Sequence, residues 1–147
     1  DRRDRGPDRG LAGNRSAAGA ALLRHLLAGD RAGGAVGALF RFWVSSGVYG
    51  LLGRGFPYGT LAVNLLGSLL MGFLYVMLLD RVTLGPELRA ALLVGFLGAF
   101  TTFSSFSIET LNLIEQGDFM KAGLNMVISV VACVLACWFG LLLGRQL

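Results

Sequence analysis

Four apolar stretches, each near the length of a bilayer core, leave this chain few ways to fold. They read GGAVGALFRFWVSSGVYGLLG at 33–53, YGTLAVNLLGSLLMGFLYVMLL at 58–79, a third beginning near Leu88, and AGLNMVISVVACVLACWFGLLL at 122–143. A helix needs about 20 mostly apolar residues to cross the hydrocarbon core. The expectation is an all-α integral membrane protein of four transmembrane helices, in which 54% of the 147 residues are apolar. Trp43, Tyr49, Phe56, Tyr58 and Trp138 fall where interfacial anchors sit.

Residues 1–31 differ in kind. They are rich in Arg, Gly and Ala, and lack the 7–15-residue apolar core of a signal peptide. They form a basic amino-terminal arm, disordered or partly helical, ahead of a four-helix domain at 32–147. Without an initiator Met, the arm is a processed end, a piece of a longer reading frame or a wrongly chosen start. His25 in the arm reads as solvated. Cys133 and Cys137, at i,i+4 on one helix face, read as small apolar fillers, with no acid or His nearby to complete a metal site.

The third segment is the anomaly. Its clean apolar part, AALLVGFLGAF at 90–100, is roughly half a span at 1.5 Å per residue. TTFSSFSIETLNLI must supply the rest. Gly95 and Gly98 weaken the helix just before the hydroxyls. The pattern predicts a broken third helix, with unwound backbone near Gly98 to Thr102. Such breaks survive at membrane depth where they are buried in protein or line a polar cavity, and they commonly form ion sites. The competing reading is a continuous helix whose hydroxyls bond back to the i−4 carbonyl. Elsewhere Gly33/Gly37, Ser68/Gly72 and Gly140/Gly144 are small-xxx-small pairs that let helices approach closely.

An enzyme reading finds no nucleophile set, metal cluster or phosphate loop. The first, second and fourth spans hold no Asp or Glu, and Glu109 is the one acid within the third. The spans hold neutral donors instead: Asn64, Thr101, Thr102, Ser104, Ser105, Ser107 and Ser129. Facing lipid unpaired they would be costly, so a bundle turns them inward. Neutral donors replace an anion's hydration without trapping it, as conduction requires. Phe103 and Phe106 share a helix side. Two readings stand for them, core packing or positive ring edges turned to an anion. Arg41, well inside the first span, is either a snorkelling or paired structural cation or a vestibule charge.

The segments GGAVGALFRF at 33–42, GTLAVNLLGSLLMG at 59–72 and GFLGAFTTFSSFS at 95–107 resemble, in this order, the signatures of the Fluc fluoride channels, also called the CrcB family. The likeness covers about 33–145, and the third motif is specific. It implies a fluoride channel domain that exports fluoride passively and relieves its toxicity, in a cell membrane such as a bacterial inner membrane. It implies an antiparallel, dual-topology dimer with two fluoride pathways. A structural sodium ion at the dimer centre would be held by backbone carbonyls of Gly98 and Thr101. By motif, the paired phenylalanines are Phe103 and Phe106 and the pore asparagine is Asn64. Ser105 and Ser129 resemble the polar track, and Glu109 an acid that follows the motif. Ala99 and Phe100 depart from the usual Gly and smaller aliphatic, and Cys133 stands where another small polar group is expected. No nucleic-acid partner is implied.

Two rivals remain at this stage: a small four-helix multidrug or cation antiporter, and a non-transporting assembly subunit. The antiporter needs a membrane-embedded acid in the first helix, where this chain has Arg41. Charge bears on the dimer. Without the arm, one side carries Arg81, Arg89 and Arg145 and the other Arg54 and Lys121, almost no bias for orientation. Such a core inserts both ways, as an antiparallel homodimer requires. With Arg24, Arg31 and the other arm arginines counted, the ends turn to the cytoplasm and an oppositely oriented paralogue is needed.

Overall fold

A computed structural model describes residues 31–81 and 84–147. All but the last residue of the arm expected at 1–31, His25 included, lies outside the described residues. Among the described residues there is no strand. Four helices are long and apolar enough to cross a membrane.

The first helix, α1 (Arg31–Leu52), ends at Gly53, whose φ of +78° suits glycine and whose N–H bonds to the Tyr49 carbonyl at 3.0 Å. Pro57 precedes α2 (Tyr58–Val76), which runs on into a π-helical turn at Met77–Arg81. The third span is segmented. It opens as α3 (Pro86–Ala90), with Pro86 in its first turn, Glu87 beside it and Arg89 in the last, each suited to its end of the helix dipole. A π-helical stretch, Ala91–Phe96, and α4 (Leu97–Phe100) follow. Thr101 (φ −79°, ψ 157°) and Thr102 (φ −151°, ψ 116°) are extended, and α5 (Phe103–Glu115) begins after them. Gly98, expected within the unwound stretch, is helical; the extended backbone is confined to Thr101 and Thr102.

A tight turn joins α5 to α6 (Phe119–Gln146). Gly117, at φ +81°, bonds its N–H to the Ile114 carbonyl, and Asp118 bonds back to Leu113. This is the Schellman arrangement that ends a helix and reverses the chain. With 28 residues, α6 is about 42 Å long, more than a hydrocarbon core.

Small residues set the packing. The contact between α2 and α6 is extensive. A Cβ at Gly72 would run into the Cys137 carbonyl, and one at Gly140 into the Leu69 carbonyl. Gly33 and Gly37 seat α1 in the same way against the Ala91 and Phe96 carbonyls of the third span. Backbones thus meet directly, the usual basis of helix association in lipid. Val63 and Leu97 are fully buried, while Val127, Val134, Leu135, Trp138 and Phe139 point outward. Those outward faces are apolar, as a lipid-facing surface must be.

Candidate functional site

The site is built on Thr102. Its backbone N–H donates to Asn64 Oδ1 at 2.7 Å, and its carbonyl accepts from Asn64 Nδ2 at 2.9 Å. One amide side chain from α2 thus satisfies both polar groups of an extended residue, which would otherwise be costly at membrane depth. The Thr102 side chain caps α5: Oγ1 accepts from the Ser105 N–H at 3.2 Å and donates to Ser105 Oγ at 3.1 Å.

These bonds change the carbonyls just before the break. In a continuous helix the Thr102 N–H would bond to the Gly98 carbonyl and the Ser105 N–H to that of Thr101. Here Asn64 takes the first donor and Thr102 Oγ1 the second. Gly98 is exposed, and a Cβ placed there would meet nothing within 4 Å.

Two adjacent rows run along α5 from this point. Ser105 and Glu109 form the first. Glu109 Oε1 accepts from Tyr49 Oη at 2.8 Å and from Thr60 Oγ1 at 2.9 Å. Tyr49, expected as an interfacial anchor, turns its hydroxyl to this carboxylate. Arg41 and Ser45 of α1 join Thr60, Thr102, Ser105 and Glu109 around a cavity of about 230 Å³. That places Arg41 beside a polar cavity. A second cavity, of about 320 Å³, lies beyond Glu109 at the loop end and is lined by Arg54, Asn112, Asp118 and Lys121.

Phe103, Phe106 and Thr110 form the second row. The two rings lie 5.2 Å apart at 42°. Phe103 is 76% exposed, so core packing does not explain it. With Asn64, Ser129 and Cys133 the rings line an open groove of about 380 Å³ between α2, α5 and α6. At its inner end Ser129 donates to Asn125 Oδ1 at 3.3 Å, and Asn125 Nδ2 to Thr110 Oγ1 at 2.8 Å. Asn125 is 1% exposed. Thr110 and Ser107 donate back to the carbonyls of Phe106 and Phe103, and Thr101 to that of Leu97, the i−4 pattern weighed above.

The structure therefore brings Ser105 and Glu109 together along one cavity, and Asn64, Phe103, Phe106 and Ser129 along the other. Tyr49, Thr60, Thr110 and Asn125 were not singled out as site residues in the sequence. Asn125 was legible there, since an amide inside an apolar span demands a partner. No group of His, Cys, Asp and Glu among the described residues is arranged to hold a metal ion.

Comparison with known proteins follows the same extent of chain. Residues 31–141 match the family model described as CrcB-like protein, Camphor Resistance (CrcB). A protein named fluoride-specific ion channel FluC from Methylococcus capsulatus is 62% identical over 115 residues, 78% of this chain and 50% of that one. Proteins of the same name from Magnetococcus marinus and Coxiella burnetii are 54% and 53% identical, over 77% and 76% of this chain and 92% and 90% of theirs. The chain thus spans about half the length of the Methylococcus relative and nearly all of the other two.

Proposed function

This chain belongs to the CrcB-like family, and from that premise we propose that it is a fluoride-specific channel, passing the ion down its gradient out of the cell. The observation that carries the reading is the double row on α5. Hydroxyls and Glu109 line the cavity on one side, and the Asn64 amide with two phenylalanine rings lines the groove on the other, beside a break held by Asn64. Such a lining offers a small anion several weak neutral donors, with Arg41 as the single cation beside the polar cavity. Purified protein in liposomes should dissipate a fluoride gradient once potassium and valinomycin supply counter-charge, and should nearly exclude chloride. Equal fluxes of the two halides would overturn the reading.

We infer further that residues 32–147 act as an antiparallel homodimer in a bacterial inner membrane, and the open row supports the presence of a second copy. Phe103 is exposed and its groove is open along one side in a single chain, so a second copy would complete the wall. Gly98 has no reason within its own chain to lack a side chain, which suits close approach by a partner at that point. Reporter fusions at the carboxyl end should show both orientations when residues 1–31 are omitted. A single orientation would contradict the dual topology.

A sodium ion between the two copies fits the same residues. The Gly98 and Thr101 carbonyls have lost their i+4 donors, and sodium is a hard cation that takes oxygen ligands. When bound, it would supply positive charge that ties two breaks together and no reaction chemistry. Removing sodium should lower the melting temperature of the detergent-solubilised dimer, with recovery on its return. Indifference to sodium would refute the site.

A further inference from the structure

Glu109 is bonded on one side only. Oε1 accepts from Tyr49 and Thr60, whereas Oε2 is buried and has no donor. A buried carboxylate oxygen without a donor is unfavourable. The position of the whole group is therefore set by what grips Oε1. The grip comes from two helices, with Tyr49 near the end of α1 and Thr60 in the first turn of α2. Tyr49 is itself seated. Gly59 leaves room for its ring, since a Cβ there would strike the ring carbons. The Arg54 guanidinium lies over the ring, 5.6 Å from its centroid.

The location gives the grip its meaning. Glu109 lines both the inner cavity with Arg41 and the outer cavity with Arg54 and Lys121. Glu109 is the residue common to both linings, and so marks the neck that an ion moving from one cavity to the other would pass. A negative group at the neck repels any anion that passes, by an amount that depends on where its charge is held. Two donors on Oε1 draw that charge towards the α1–α2 wall, and no bond on Oε2 has to break when the group turns aside.

We propose that Tyr49 is a positioning residue for ion passage: its hydroxyl holds the Glu109 carboxylate against the α1–α2 wall, keeping the neck between the two cavities passable to an anion. The inference rests on the channel reading above. With the hydroxyl gone, Thr60 alone tethers the carboxylate. The group then swings into the neck, towards Arg41 in the inner cavity.

Tyr49→Phe is the discriminating variant, because it removes the hydroxyl and keeps the ring, its seat on Gly59 and the Arg54 stack. Fluoride flux through the full chain in liposomes should fall about tenfold, the scale of one hydrogen bond to a charged group. In a Glu109→Gln background the same change should cost about twofold or less, since a neutral amide has no charge to misplace. An equal loss in both backgrounds, or unchanged flux for Tyr49→Phe alone, would overturn the proposal. Isotope-edited infrared spectroscopy of the Glu109 carboxylate reads the grip without any flux. Its stretching band should shift in Tyr49→Phe, and an unshifted band would overturn the proposal even where Glu109→Gln conducts too little to measure. A wild-type protein that passes no fluoride, with the band shifting as expected, would remove the channel reading and with it the role in passage, leaving the grip as a structural fact.

Discussion

The two rows of α5 are built from neighbouring residues of one helix and end in opposite conditions. The Ser105–Glu109 row is closed by its own chain: Asn64, Thr60 and Tyr49 reach it from α1 and α2, and the cavity beside it is small and polar. The Phe103–Phe106 row is open, with one ring mostly exposed over an apolar groove and a polar chain at its inner end. In the first row the chain itself supplies the partners of Glu109 Oε1 and of both main-chain groups of Thr102. In the second row Phe103 is left without cover from its own chain. One helix thus carries a row held by its own chain beside a row left open to its surroundings.

Asn64→Leu should have the largest effect, because it strips both partners from Thr102 and leaves an extended residue unsatisfied. Two buried groups at 1–3 kcal/mol each suggest roughly a hundredfold loss of fluoride flux, together with a lower melting temperature. A stable, conducting variant would show that the closed row does not depend on that amide. Phe106→Ala tests the open row. Flux should drop by roughly tenfold, the scale of an aromatic contact, while size-exclusion and melting behaviour stay near wild type. A variant that lost flux only by unfolding would return the ring to packing. Ser129→Ala should be mildest, a few-fold at most, because Asn125 keeps its bond to Thr110 and only one hydroxyl leaves the groove. A loss as large as that of Phe106→Ala would move the essential contact from the rings to the inner end.

The same contrast explains what was legible in the sequence. Apolar length alone located the four spans to within a few residues, since a bilayer core sets that length. The fourth helix ran longer than 122–143, to Phe119–Gln146, because Asp118 and the Gly117 turn fix its start outside the apolar stretch. The unwound stretch expected from Gly98 to Thr102 is narrower, confined to Thr101 and Thr102. Glycine propensity pointed at Gly98, yet the residue that leaves the helix is the one that Asn64 grips, 38 positions away. A local signal cannot report a partner on another helix. The Tyr49–Glu109 bond was hidden for the same reason: a tyrosine near a helix end gives no sign of the acid, 60 positions away, that receives its hydroxyl. The hydroxyl run of α5 and the phenylalanines within it were legible because their spacing lies on a single helix.

Asn64 addresses the main chain of Thr102 and leaves its side chain alone. An asparagine amide has the donor and acceptor of a peptide unit, so it docks on an extended residue much as a neighbouring strand would. The identity of position 64 is then constrained by chemistry and reach together, for a glutamine carries the same amide one methylene too far. Position 102 is constrained only by the cap it provides, a task a serine performs equally well. Drift should therefore be lopsided across this contact, with one partner nearly frozen and the other free to exchange one hydroxyl for another.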